Sequence, residues 1–398
     1  MTLQALSAVL AGDVDASLLA EAANEQARRQ GAGRWGIQAE ILLGALAGDQ
    51  ALETVLRNRG EAVNPWVSVM AELFLSEHVG DSPYVHSVIE NQVTARPERW
   101  RPALRRTLID GGSSSRSRAA TLLDMVGETI DVQPLRAFSR QSRGAAGTGA
   151  IGRGLARRVA DRVRVVDLGR VRVQVGNRSV EGDTIRRKVL ALLCFLVTRP
   201  NMAAARDQVV DALWTDQDPA AASNSLNQTV YFLRRVFEPS YVEDLSPGFV
   251  RHESDLLWLD PGLISAESEI CKRAIEEARR SSTWATVDLV SRSYRGRFAL
   301  DFEYEEWSAG YRDNLHASYL EVIERAVEDE TQAARFDRAI ELCRRALDVD
   351  PSCEPIERQL LRLYRLTGAH AAAEEQYRHY STQMNEDLGV SPPPLNEM

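Results

Sequence analysis

Lysine is almost missing from this 398-residue chain, in which Lys188 and Lys272 stand among 48 basic residues. Nearly all positive charge is therefore carried by arginine guanidinium groups. The chain is acidic overall, with a net charge of −9 and an isoelectric point near 5.4. This balance excludes a protein that attracts nucleic acid over its whole surface. Any contact with phosphates has to come from arginines at particular places.

Several catalytic and metal-binding patterns are also missing. The four cysteines (Cys194, Cys271, Cys343 and Cys353) form no CxxC pair, so we expect buried thiols in a reducing cytoplasm. The six histidines show no HExxH or other metal-ligand spacing, and no nucleophile–base pair or phosphate loop is evident. We therefore expect no enzyme activity, no metal and no cofactor.

The start of the chain lacks a basic segment and a sustained apolar run, and Asp13 and Asp15 come early. We therefore expect neither a signal peptide nor a transmembrane helix, and no membrane partner.

One glycine motif resembles a nucleotide-binding loop. Gly147, Gly149 and Gly152 have the GxGxxG spacing, but the preceding RAFSRQSRGAA is not a strand pattern and no Walker lysine occurs. A tract rich in glycine, serine and arginine is more simply explained as a connection between structured regions. We therefore predict that residues 137–160 form a flexible basic linker.

The segment 219–237, PAAASNSLNQTVYFLRRVF, predicts a helix with two different faces. Leu226, Val230, Leu233 and Phe237 form one apolar stripe, and the opposite side carries asparagine, glutamine, tyrosine and arginine. Such side chains can read base edges in DNA. Taken alone, the segment also fits an ordinary amphipathic surface helix.

The flanking segments favour the DNA-reading interpretation. RRKVLALLCFLV (186–197) and RDQVVDALW (206–214) predict two helices before it, the first closed by Arg199-Pro200. The segment 162–182 predicts strands with a turn at Gly176-Asn177, and Gly248–Asp260 predicts a hairpin. A small sheet, three helices and a terminal hairpin make a winged helix.

This block, about 162–262, resembles the winged-helix domain of the SARP family (Streptomyces antibiotic regulatory proteins), which is similar to the output domain of response regulators. RRKVLALL, RDQVVDALW, SLNQTVYFLRRVFEP and SPGFV occur in the family's order and spacing. The resemblance implies DNA binding. The family usually has a small polar and then a basic residue where Tyr231 and Phe232 stand, so we expect a different base preference.

The C-terminal region predicts helical repeats. Ala339 and Ala373 are 34 residues apart, as are Cys343 and Tyr377, which is the period of tetratricopeptide repeats. The segments 284–307 and 374–392 resemble the bacterial transcriptional activation domain of SARP proteins. Two positions depart from the pattern: Glu330 stands at an expected aromatic position in a weak first repeat, and Tyr380 stands at an expected alanine in the second. A generic helical bundle is the alternative.

The N-terminal region, residues 1–136, predicts further helices from SLLAEAANEQARR, GIQAEILLGALAG and SVMAELFLSEHVG. The segment RSRAATLLDMVGETIDVQPLRAFS resembles one HEAT-like repeat. SARP winged helices usually begin their chain, so this region departs from the common layout. We expect it to be a sensor or docking module, the tail of a longer helical array, or a solenoid that serves only packing.

The sequence thus predicts a mostly α fold in four parts. These are a helical HEAT/TPR-like segment, a linker, a winged helix with a small β-sheet and wing hairpin, and a TPR-like activation domain, over 1–136, 137–160, 161–262 and 263–398. The predicted function is sequence-specific transcriptional regulation in the cytoplasm. The expected partners are double-stranded DNA in repeated half-sites, RNA polymerase and a second copy beside the first on DNA. The alternative is a helical-repeat scaffold whose winged helix binds protein.

The predicted DNA-contacting residues come from the first helix, the recognition helix and the wing. They are Arg186, Arg187, Lys188, Asn224, Ser225, Asn227, Gln228, Tyr231, Phe232, Arg234, Arg235 and Arg251.

Overall fold

The computed structural model of the protein describes residues 1–59, 82–142 and 148–394. It divides into two compact units, the first made of Met1–Ala160 with Val242–Pro247 and the second of Asp161–Tyr241 with Gly248–Met398. Within the described ranges, no helix is both long enough and apolar enough to cross a bilayer. The SVMAELFLSEHVG segment at 68–80 lies outside the described residues.

Unit 1 is helical, as its sequence pattern predicts. Its described helices are α1 (Thr2–Ala11), α2 (Ala16–Arg29), α3 (Gly33–Ala47), α4 (Asp49–Arg59), α5 (Pro83–Ala95), α6 (Pro97–Asp110), α7 (Ser113–Val126), α8 (Thr129–Gln141) and α9 (Arg153–Val159). Sequence-adjacent helices pack against each other around a core that includes Ile41, Leu104 and Leu123. The fully buried Trp100 is among its largest side chains.

The predicted linker is partly wrong. Thr148–Ala150 form a 3₁₀ turn and Arg153–Val159 form α9, and Leu155 and Ala156 are buried in the core of unit 1. The sequence does not predict this short helix, because the tract is rich in glycine and only two of the helix residues are buried, too few to form a recognisable apolar pattern. Residues 143–147, the rest of the glycine tract, lie outside the described residues.

Unit 2 begins with the small sheet that the alternation in 162–182 predicts. Its strands are β1 (Val163–Val166), β2 (Arg172–Val175) and β3 (Arg178–Glu181). The antiparallel register pairs Val163 with Val175 and Val175 with Arg178, so the turn falls at Gly176-Asn177. A fourth strand, β7 (Ile264–Ala266), pairs in parallel with β1 and gives the order β3-β2-β1-β7. The sequence did not reveal β7.

The predicted three helices and hairpin follow. The helices are α10 (Arg187–Val197), α11 (Arg206–Leu213) and α12 (Pro219–Phe237); the strands are β4 (Ala203–Ala205), β5 (Val250–Glu253) and β6 (Leu256–Leu259). β6 lies between β4 and β5 in a second sheet. The sequence pattern of α10, with Val189, Leu192, Leu193 and Leu196 on one side, suggests a helix with one apolar face, but every residue from Val189 to Val197 is buried. It is the central helix of the winged helix and packs against both α11 and α12.

The rest of unit 2 is helical. It contains α13 (Glu267–Arg280), α14 (Trp284–Ser293), α15 (Glu306–Gln332), α16 (Phe336–Val349), α17 (Glu354–Leu366) and α18 (His370–Leu388). Ala339 and Ala373 are both buried and lie at the same distance from the starts of α16 and α18, as a repeated helix pair requires. At the departures from the repeat pattern, Glu330 is buried against Arg335 and Tyr380 fills an interior position.

The winged helix and these helices share buried contacts within unit 2. Asp167, fully buried after β1, accepts hydrogen bonds from the Ser268 backbone N–H (2.8 Å) and hydroxyl. Burial raises the pKa of Asp167 to about 7. The Phe195 ring of α10 meets Trp307 of α15 edge-on at 6.0 Å. The four cysteines are free and buried, which confirms the expectation from their positions.

Candidate nucleic-acid interface

The helix α12 is fixed by its cap and its buried face. Asp218 precedes it, and its carboxylate accepts from the backbone N–H groups of Ala220 (3.1 Å) and Ala221 (3.3 Å). Pro219 occupies the first turn, where a missing N–H costs nothing. Leu226 and Leu233 are completely buried on the inner side. The polar side is therefore held outward by the packing of the apolar side.

Three residues of the predicted reading face lie exposed on α12. Asn224, Gln228 and Tyr231 follow one another at helical spacing, and Tyr231 is 45% exposed. Within the described part of the chain, no hydrogen bond or ring contact engages the side chains of Asn224 or Gln228. Both amides are therefore available to pair with a ligand. Ser225 points differently, since its hydroxyl donates to the Gln217 amide oxygen at 3.2 Å.

Arg206, at the start of α11, links the reading face to the wing. Its Nη2 donates to the Asn227 amide oxygen at 2.9 Å and to the Ser223 hydroxyl at 3.3 Å. Its Nη1 lies 3.2 Å from Nε2 of His252, on strand β5. The Asn227 oxygen is thus occupied and its NH₂ group remains to donate. Arg206 therefore sets which hydrogen bonds Asn227 can offer.

Sequence reasoning missed Arg206 and His252. Arg206 lies in the RDQVVDALW motif, which predicts a helix without indicating a role for its first residue, and His252 follows the predicted Arg251. A basic residue at the start of this helix could have suggested a role for Arg206. Its partners Asn227 and His252 are distant in sequence, however, and only the fold brings them together.

An aromatic group occupies the middle of the face. Tyr231 meets Phe232 at 5.6 Å and Tyr241 at 6.1 Å, both edge-on. The guanidinium of Arg186, just before α10, lies 3.8 Å above the centre of the Phe232 ring. Phe232 stands where the resembling family usually has a basic residue. The guanidinium that lies against this ring is that of Arg186.

The other predicted cations fall into two classes by their partners. Arg187 and Arg251 are paired with carboxylates, Glu305 at 2.8 Å and Asp260 at 3.3 Å. By contrast, the remaining three donate to neutral backbone carbonyls and keep their charge: Lys188 to Leu213, Arg234 to Val250, and Arg235 to Pro239.

Arg234 has a second effect through this bond. Both its Nε and its Nη2 lie 3.3 Å from the Val250 oxygen, at the first residue of the wing strand β5. The half-buried side chain therefore ties the recognition helix to the wing. Gly248, just before, has φ +84°, and an added Cβ would lie 3.4 Å from Nε of Arg251. The turn into the wing thus favours glycine.

A family model described as "Bacterial transcriptional activator domain" matches residues 264–396, which begin at β7. Two proteins of Mycobacterium tuberculosis are similar to the chain. Transcriptional regulatory protein MoaR1 is 25% identical over 225 residues, covering 55% of this chain and 71% of MoaR1. Transcriptional regulatory protein EmbR is 24% identical over 239 residues, covering 58% of this chain and 61% of EmbR.

Among solved structures, one similar chain is that of Mycobacterium tuberculosis EmbR in complex with a low-affinity phosphopeptide. It is 20% identical, with a TM-score of 0.41, and the match covers 60% of this chain and 63% of that one.

Proposed function

We propose that the chain is a transcriptional regulator of the SARP type and that α12 reads base edges of double-stranded DNA; the activator-domain match and the names of the similar proteins support this. The observation that supports this most is the exposed row of Asn224, Gln228 and Tyr231 on a helix whose other face is buried. Asparagine and glutamine can each form two hydrogen bonds with adenine in the major groove. Residues nearest the start of a recognition helix reach the bases.

Phosphate contacts come from the cations that keep their charge. Lys188, Arg234 and Arg235 donate to carbonyls, and the positive group of Arg186 stacks on an aromatic ring. Guanidinium and ammonium groups retain donors beyond these bonds, so each can also meet a phosphate. We assign the two cations that face carboxylates, Arg187 and Arg251, a smaller share of the binding energy.

Two copies side by side on directly repeated half-sites are the proposed binding form. Few uncompensated cations serve each winged helix, so one copy alone gains little sequence-independent affinity. The shared packing of the winged helix with α13 and α15 orients the C-terminal helices as a firm extension of each DNA-bound copy. Repeated helical pairs offer surfaces for partners, and we propose that this domain pairs the copies and contacts RNA polymerase as an activator.

For the N-terminal region we propose a regulatory part, either a sensor or a docking module. The domain boundaries of this proposal follow the units, with the helical region extending through residue 160 rather than 136. No enzymatic step is part of the proposal, because the similar proteins are regulators by name.

The test is selection of bound sequences from a random DNA pool by the full chain, followed by affinity measurements at several salt concentrations. Enrichment of a repeated motif is the expected result. Absence of any enriched sequence, with binding no tighter than to random DNA, would reject DNA reading. It would favour the scaffold alternative, in which the same aromatic face of α12 binds protein. That alternative is motivated by Phe232, which stands where a basic residue is usual.

A further inference from the structure

A short segment that follows the proposed DNA-reading helix in the chain belongs to the other unit. Residues 242–247, called the strap here, lie between the end of α12 at Phe237 and the start of β5 at Val250, yet they pack with unit 1. The strap is turned back on itself, since the backbone N–H groups of Leu245 and Ser246 both donate to the Val242 oxygen at 3.0 Å.

One buried arginine of unit 1 holds the strap. Arg136 of α8 is 4% exposed; its Nη2 donates to the Asp244 carboxylate at 2.6 Å and its Nε to the Asp244 backbone oxygen at 3.1 Å. Arg140 adds a bond of 3.1 Å to the other carboxylate oxygen. Because both the side chain and the backbone of Asp244 are bound, its position and orientation are fixed.

The same guanidinium is anchored from the opposite side. Nη1 of Arg136 donates to the backbone oxygens of Gly149 (3.1 Å) and Ile151 (2.9 Å). Next to Asp244, Leu245 packs against the apolar core of unit 1. The bond from Arg136 holds the pKa of Asp244 below its ordinary value, so this carboxylate is charged at neutral pH. The strap thus has a polar and an apolar attachment to unit 1.

These attachments restrict the neighbouring DNA-binding elements through the chain itself. From Pro247 to Val250 there are three residue steps, which span at most about 10 Å. We propose that unit 1 regulates DNA binding through the strap, which, while bound to Arg136, orders the start of the wing and the end of α12. This inference rests on the proposed function. The wing is then already ordered before DNA binds, so the free energy of binding is not reduced by the entropy cost of ordering the wing.

The test uses the full chain with Asp244→Asn, which removes the charge but keeps the size of the side chain. Leu245→Ala is the second variant, because it weakens the apolar attachment and leaves Arg136 in place. Glu25→Gln is the matched control, since it removes the surface ion pair with Arg29 elsewhere in unit 1. The measurements are amide hydrogen exchange of 242–247 without DNA, and affinity for the selected DNA by fluorescence anisotropy.

We expect faster exchange in the strap and roughly threefold or more weaker DNA binding for both strap variants, with the control unchanged. Faster exchange with unchanged or tighter DNA binding would overturn the proposed coupling. Unchanged exchange in both variants would show that the strap is not held by these attachments and would overturn it as well. If the wild-type chain selects no DNA, the proposed function fails, and the exchange data still report on the attachment.

Discussion

Replacement of Gln228 by alanine tests DNA reading by α12 separately from folding. Its side chain is exposed, and no hydrogen bond to it is recorded within the described residues. Exposed substitutions of this kind change the free energy of unfolding by about 0.5 kcal/mol or less. Alanine also favours the helix slightly more than glutamine. We therefore expect the melting temperature to stay the same or to rise slightly.

DNA affinity should respond quite differently. A bidentate amide–adenine pair contributes about 1–3 kcal/mol of discrimination, which corresponds to a loss of about 5-fold to 150-fold on the selected site. Random DNA, which Gln228 does not read, should lose less than about twofold. Fluorescence anisotropy with both DNAs at one salt concentration measures the two losses.

The control is Gln332→Ala, at an exposed glutamine on α15 that donates to Glu328. It repeats the same chemical change outside the winged helix and should leave both affinities unaltered. Equal losses on selected and random DNA for Gln228→Ala would refute base reading by this residue. A large fall in melting temperature would refute the claim that its side chain has no structural role.

Three further predictions address charge, pH and pairing. Arg234→Ala combined with Arg235→Ala should flatten the dependence of log affinity on log salt by about 1–2, and an unchanged slope would remove both from the phosphate contacts. Burial raises the pKa of Glu357 to about 7, so the unfolded chain loses its proton at lower pH than the folded one and stability falls as the pH rises between their two pKa values. The free energy of unfolding, measured by urea titration, should therefore fall by about 2 kcal/mol less for Glu357→Gln than for the wild type between pH 5 and pH 8. An equal fall for both proteins would contradict a raised pKa of Glu357. Finally, the full chain should bind two adjacent half-sites cooperatively in gel shifts, and binding equal to the sum of two independent sites would exclude pairing.

The winged helix was predictable because its signals are local. Asp218 and Pro219 mark the start of α12, and its apolar stripe ends at Phe237, where the helix itself ends. The hairpin strands lie inside the predicted segment Gly248–Asp260, at Val250–Glu253 and Leu256–Leu259. Such signals need only the residues within one element and its caps.

Pairings between distant segments could not be predicted in the same way. The strand β7 is three residues long and pairs with β1, about a hundred positions earlier in the chain. Its sequence, Ile-Ser-Ala, is too short to predict a strand by itself. The Arg206 contacts with Asn227 and His252 likewise depend on three elements meeting. The strap gave no signal either, because its attachment rests on Arg136, a residue of the region whose role the sequence left open.

The distribution of partners among the basic residues supports the proposal that two copies bind side by side on DNA. With Arg187 and Arg251 set against carboxylates, four of the predicted cations remain, together with Arg206, whose partners are neutral; this gives a salt slope of about −4 to −5 at most. Such a domain binds random DNA weakly, so it is not retained on the many competing sites. Two paired domains bound to repeated half-sites combine their affinities for the specific sequence, while the affinity of a single domain for random DNA stays the same. We infer that the amides of α12 supply discrimination and that pairing supplies affinity.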